Sequence, residues 1–121
     1  NFFSPQHQRD FIIKDLGPAL AASSHSDVHL IILDDQRNKL PNWANQVIGN
    51  STAAAYVSGI GIHWYSDLIT PAGLTLDVTH HLYPNFFLLY TEACNGVMHW
   101  EVKVALGSWE RGTYYSRSIL S

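Results

Sequence analysis

The sequence predicts an α/β fold in which short, buried parallel strands alternate with helices. Three observations carry that reading. There are three short apolar runs, nearly continuous in hydrophobicity. They recur roughly every 30 residues, the length of one strand-plus-helix unit. The segments between them hold helix caps and good helix formers. The pattern fits a small open sheet or an arc of an eight-stranded (β/α)8 barrel. A whole barrel needs about 200 residues or more, so 121 residues allow only part of one.

The elements follow in order. Ser4-Pro5 reads as an N-cap with proline in the first helical turn. Phe11, Ile12, Leu16 and Leu20 then form an apolar stripe, which Pro18 is expected to kink or end. The first strand is read at Val28-His29-Leu30-Ile31-Ile32-Leu33. Pro41-Asn42-Trp43 opens a second helix, and Ala53-Ala54-Ala55-Tyr56-Val57 supplies helix formers ahead of the next strand. That strand is Gly59-Ile60-Gly61-Ile62-His63-Trp64-Tyr65, and the third is Phe86-Phe87-Leu88-Leu89-Tyr90. All three are expected to be buried on both faces. Leu74–Leu82 carries no clear signal. Ser108-Trp109-Glu110 starts a last helix containing Tyr115 and Ile119. It reaches Ser121 without a glycine or proline stop, as expected of a truncated chain.

Composition excludes several classes. Hydrophobic residues make up 46% and charged residues only 14%, so much of the surface is expected to be covered by further protein. A net charge of −3 offers nucleic acid no basic field. Seven histidines gain charge in an acidic compartment. Cys94 is the only cysteine, so no disulfide forms within the chain. His7 and His80-His81 lack the partners of a structural zinc site, and neither standard glycine-rich phosphate loop occurs. No apolar run reaches about 18 residues, and the start, Asn1-Phe2-Phe3-Ser4-Pro5, has no signal-peptide character. Asn50-Ser51-Thr52 fits the N-glycosylation acceptor pattern.

Polar groups gather where the strands finish. These are Asp34-Asp35-Gln36-Arg37, His63-Trp64-Tyr65 and Thr91-Glu92-Ala93-Cys94-Asn95. In a parallel sheet these ends share one rim, and carboxylates beside aromatic rings suit sugar chemistry. Simpler roles compete. Glu92 could cap a following helix. Asp34 and Asp35 could pair with Arg37 to order a loop. His63 and Tyr65 alternate along a strand and face one side, which is either a pocket or a satisfied core. Trp64 faces the other way, toward a helix. Trp43, Trp100 and Trp109 are read as core or interface. Cys94 has no visible base to activate it.

At these strand ends the sequence resembles the lysosomal glucosylceramidases (acid β-glucosidases) of glycoside hydrolase family 30. The matching segments are Phe3-Ser4-Pro5, Gln8-Arg9-Asp10-Phe11-Ile12, Asp15-Leu16-Gly17-Pro18 and Leu33-Asp34-Asp35-Gln36-Arg37. Further on come Gly59-Ile60, His63-Trp64-Tyr65, Glu92-Ala93-Cys94, Leu106-Gly107-Ser108-Trp109 and Arg111-Gly112. Several runs in one order are far more specific than any single motif.

The resemblance implies that residues 1–121 are a fragment of a (β/α)8 TIM-barrel catalytic domain. The implied activity is hydrolysis of glucosylceramide to glucose and ceramide, with no metal or organic cofactor. Glu92 matches the nucleophile at the end of the seventh strand. His63 and Tyr65 match sixth-strand residues at the glucose site, and Asp34 and Asp35 match a fifth-strand pair near its mouth. Lysosomal membrane lipids and a sphingolipid activator protein are the implied partners, in the lysosomal lumen. The family's acid/base glutamate lies in an Asn-Glu-Pro context. That motif is absent here, since the only glutamates are Glu92, Glu101 and Glu110. The chain alone is therefore expected to be inactive. Two alternatives remain open: a non-catalytic carbohydrate- or lipid-binding remnant, and a related β-glycosidase with another substrate.

Overall fold

A computed structural model describes residues 3–120. It contains one three-stranded parallel sheet in the order β1-β2-β3, formed by β1 (Leu30–Gln36), β2 (Val57–His63) and β3 (Phe87–Glu92). The apolar runs located each strand but not its ends. β1 extends through both aspartates, and β2 stops before Trp64 and Tyr65. Backbone pairing with a neighbouring strand, not side-chain hydropathy, decides where a strand finishes.

Helix α1 (Pro5–Phe11) is capped as the sequence suggests: Ser4 Oγ accepts the His7 N–H at 3.2 Å. Pro18 does not end the helix. The chain widens into a π-helical turn over Ile12–Leu16, where the Gly17 N–H bonds Ile12 O, and continues as α2 (Gly17–Ala21). The wider turn lies just ahead of a residue with no N–H to donate. Gly17 is required there, because a Cβ would sit 2.5 Å from the Tyr56 ring.

Between β1 and β2 lie α3 (Asn42–Val47) and α4 (Ser51–Ala54). The second is shorter than its alanines suggest, because Val57 is already paired with Leu30 in the sheet. After β2 comes α5 (Ala72–Leu82), in the stretch whose sequence carried no clear signal. Thr75 and Thr79 supply its buried positions; the Thr79 hydroxyl bonds Thr75 O at 2.6 Å. That is why the face did not read as apolar. The final helix is α6 (Trp109–Leu120).

The core lies on β1 and β2. Ile32 and Ile60 are 0% exposed and Ile62 is 1% exposed, with Ala44, Val47, Ile48 and Ile12 packed around them. β3 differs from expectation: Phe87 is 42%, Leu89 50% and Tyr90 38% exposed. It is an edge strand with one neighbour, so its apolar pattern is not matched by burial.

Each strand pairing breaks register at the carboxyl end of the sheet. Between β1 and β2 one shift falls early, between Leu30 and Ile31, and the second between Leu33 and Asp35, so Asp34 has no partner. Leu33 (φ 70°) and Asp34 (φ 58°) both adopt left-handed backbone, which costs non-glycine residues about 1–3 kcal/mol each. Between β2 and β3, Ile62 pairs with Tyr90 but His63 with Glu92, leaving Thr91 as the extra residue. Such bulges re-aim side chains at the ends of strands.

Ile60 lies at the centre of this packing. Ile60→Ala in the full-length protein is expected to cost about 2–5 kcal/mol. Thermal denaturation checks this, and an unchanged midpoint would contradict the core as described.

Candidate active site

The two bulges bring Asp34, His63, Thr91 and Glu92 together at one end of the sheet. His63 ends the central strand, and its ring reaches both neighbours. Nε2 lies 3.0 Å from Asp34 Oδ1, and Nδ1 lies 3.8 Å from Glu92 Oε1. The Thr91 hydroxyl donates to the same Asp34 oxygen at 2.8 Å. Thr91 first, and His63 second, hold the Asp34 carboxyl below its ordinary pKa. When Nε2 carries a proton for Asp34, neutral imidazole leaves Nδ1 as an acceptor. The imidazolium instead turns a second N–H toward Glu92.

The alternation placed Tyr65 in the strand, but β2 ends at His63. Tyr65 lies in the turn after β2, yet it still meets His63, ring edge to ring face, at 6.2 Å. Its phenol oxygen accepts the Cys94 N–H at 3.1 Å. Burial raises the Tyr65 pKa above the usual phenol range, and the neighbouring Cys94 and Glu92 side chains raise it further. The phenol therefore stays neutral. Glu92 itself is the last residue of β3, and its side chain is 51% exposed. No helix follows it directly, so it is not a helix cap.

Asp34 and Asp35 part company. Asp35 accepts the Gln36 N–H at 2.6 Å and pairs with Lys39 at 3.2 Å, so its contacts are local. Neither aspartate pairs with Arg37, contrary to the loop-ordering expectation. The buried Arg37 guanidinium instead meets Asp67 at 3.1 Å and Tyr90 Oη at 3.1 Å. Sequence reasoning named Arg37 but gave it near neighbours in the chain as partners. It placed Thr91 at the strand end but gave it no partner, because a threonine in a strand reads as ordinary β propensity.

Beside Tyr65 lies a cavity of about 430 Å³, lined by Trp64, Tyr65, Leu68, Met98, Trp100 and Tyr114 among others. Trp64 stacks on Tyr115 of α6 at 5.2 Å and so does face a helix. Trp43 is half-buried, and its indole N–H donates to Gln8 at 2.6 Å. Trp100 and Trp109 are 71% and 88% exposed, so neither is core in this chain. Cys94 is a free, exposed thiol. Asn50 N-caps α4, accepting from Thr52 N and Ala53 N with its amide oxygen. Among the described residues, no three His, Cys, Asp or Glu side chains converge as metal ligands would.

The sequence matches the glycosyl hydrolase family 30 TIM-barrel domain over residues 1–121. It is 57% identical over 119 residues to the lysosomal acid glucosylceramidase of Mus musculus, covering 98% of this chain and 23% of that protein. The fold resembles SrfJ from Salmonella typhimurium with a TM-score of 0.74 at 22% identity, over 96% of this chain and 25% of that one. It also resembles an endo-β1,6-glucanase with a TM-score of 0.64 at 24% identity, over 77% of this chain and 21% of that one. The chain thus spans about a quarter of the length of these proteins. The sheet is an unclosed arc of a TIM barrel, which decides between the two architectures the sequence allowed.

A carboxyl with a lowered folded-state pKa binds its proton less readily than in the unfolded chain. Its contribution to stability is therefore complete above the unfolded value of 3.8 and is lost as the pH falls through the folded one. Asp34→Asn in the full-length protein is expected to flatten the fall of the thermal midpoint below about pH 4. Identical acid limbs in the two proteins would speak against the Thr91–Asp34–His63 network.

Proposed function

Because this chain belongs to glycosyl hydrolase family 30, we propose that the protein carrying it is a retaining β-glucosidase with Glu92 as its nucleophile. The substrate proposed is glucosylceramide, after the name of the mouse relative. One observation carries the reading: Glu92 presents a half-exposed carboxylate at a strand end, beside a neutral phenol and an imidazole. A nucleophile needs to be accessible and oriented: the exposure of Glu92 gives the first, and the side chains beside it serve the second.

Glu92 attacks the anomeric carbon as the bond to the ceramide oxygen breaks, forming a glucosyl ester. A glutamic acid outside this chain protonates the departing oxygen. The same residue then takes a proton from water, which attacks the ester and releases glucose with retained configuration. Retention needs the two carboxyl groups about 5–5.5 Å apart. Tyr65 steadies the ionised nucleophile by donating to it. His63 and Tyr65 border the glucose, with Asp34 and Asp35 near the mouth of its site. Proposed with this activity are a lysosomal location, membrane lipids and a sphingolipid activator as partners, and glycosylation at Asn50. The amide oxygen of Asn50 is engaged in the α4 cap, so a glycan would use its amide nitrogen.

Glu92→Gln in the full-length enzyme is expected to lower kcat by roughly a thousandfold or more. Azide added to a Glu92→Gly variant with an activated aryl glucoside restores turnover and yields the inverted glucosyl azide. Near-normal activity in the glutamine variant sinks the assignment. The isolated 121-residue chain is expected to show no glucosidase turnover, as it supplies the nucleophile without the acid/base. A robust rate from the purified chain would overturn that division of roles.

A further inference from the structure

The turn of residues 64–70 carries Tyr65, and its base is held by one buried side chain from another strand end. Arg37 follows β1 directly, and its side chain is 11% exposed. Its Nε donates to Thr70 O at 2.8 Å and its Nη2 to Asp67 O at 2.8 Å. Its Nη1 donates to Tyr90 Oη at 3.1 Å, and that hydroxyl donates to Asp67 Oδ2 at 2.8 Å. Asp67 Oδ1 lies 3.1 Å from Nε but has no hydrogen-bond partner, because the Nε–H points at Thr70 O. Beside Arg37, Gln36 Oε1 accepts the Ser66 N–H at 3.1 Å. The loop is therefore pinned to β1 at Ser66, to Arg37 just beyond it at Asp67 and Thr70, and to β3 at Asp67. Its tip is free: Leu68 is 103% and Ile69 83% exposed.

We propose that Arg37 is a positioning residue, a clamp that fixes the 64–70 turn so that the Tyr65 phenol stays beside Glu92. The proposal rests on the reading of Glu92 as nucleophile. The physical case is the cost of burying a guanidinium. A buried cation needs a carboxylate and filled donor directions; the loop gives Arg37 the carboxylate and two carbonyls, and Tyr90 of β3 takes a third N–H. The planar fork ties two points of that loop, Asp67 O and Thr70 O, and the Tyr90 hydroxyl of β3 to one plane, which a lysine cannot do. Tyr65 is two residues from Asp67, the nearest residue that Arg37 holds, and the Ser66 between them is held by Gln36, so freedom lost at the base is lost at the phenol. Tyr90 ties the clamp to β3, the strand that ends in Glu92.

The test is a double-mutant cycle in the full-length enzyme. Arg37→Met is expected to lower kcat about tenfold with KM little changed, as does loss of a hydrogen bond to a charged group. In a Tyr65→Phe background the same change should cost less than about twofold, since its effect passes through the phenol. Arg37→Lys should not rescue. If Arg37→Met fails to fold, Tyr90→Phe keeps the ion pair and loosens the clamp. It should lower kcat about threefold with Tyr65 present, and not at all without it. Losses of equal size in both backgrounds would assign the clamp to general stability and overturn the proposal, as would no loss in either. Labelling with a 2-deoxy-2-fluoro glucoside normalises every rate to active enzyme. Mapping that label tests the nucleophile separately: attachment elsewhere than Glu92 refutes the earlier reading whatever the cycle gives.

Discussion

β2 is hydrogen-bonded along both edges, and the geometry of the site follows from that. A central parallel strand takes its register from two neighbours at once. Its inner residues, Ile60 and Ile62, are buried, so it cannot slip without exposing them. His63 therefore arrives at the rim at a fixed height between β1 and β3. From there one imidazole reaches Asp34 on one side and approaches Glu92 on the other. The bulges at Asp34 and Thr91 absorb the mismatch in strand length and turn polar side chains inward to meet it. The left-handed backbone at Leu33 and Asp34 is the local cost of that convergence.

Two kinds of anchoring support the rim. Apolar packing holds the body of the sheet, while an ion pair holds the turn above it. The division has a physical basis. A turn of exposed backbone has little apolar area to bury, so directed polar contacts must fix it. Arg37 supplies them from a buried position, where its charge is not screened as it would be at the surface. The loop tip stays uncommitted: Leu68 and Ile69 are exposed, and Leu68 lines the aromatic cavity beside Tyr65.

The sheet also displays what an arc of barrel lacks. The exposed apolar residues of β3 carry the pattern of a barrel strand, but β3 has one neighbour here. The chain's low charge content has the same origin, because surface that a whole barrel covers need not be polar.

The sequence alone determined the α/β class, the three strands, the Ser4 cap and the last helix. These depend on local patterns: apolar runs, a capping hydroxyl, and spacing. Its resemblance to family 30 also singled out Glu92, His63, Tyr65 and Asp34 at the strand ends. Tertiary structure decided the rest. It separated Asp34 from Asp35, drew Thr91 into the site, put Tyr65 in a turn, and gave Asn50 a capping role. It paired Arg37 with Asp67 and Tyr90, not with the aspartates next to it in the chain. The reason is that burial and pairing are settled by distance in space. Nothing in the order of residues tells a guanidinium which of several carboxylates the folded sheet will bring within reach.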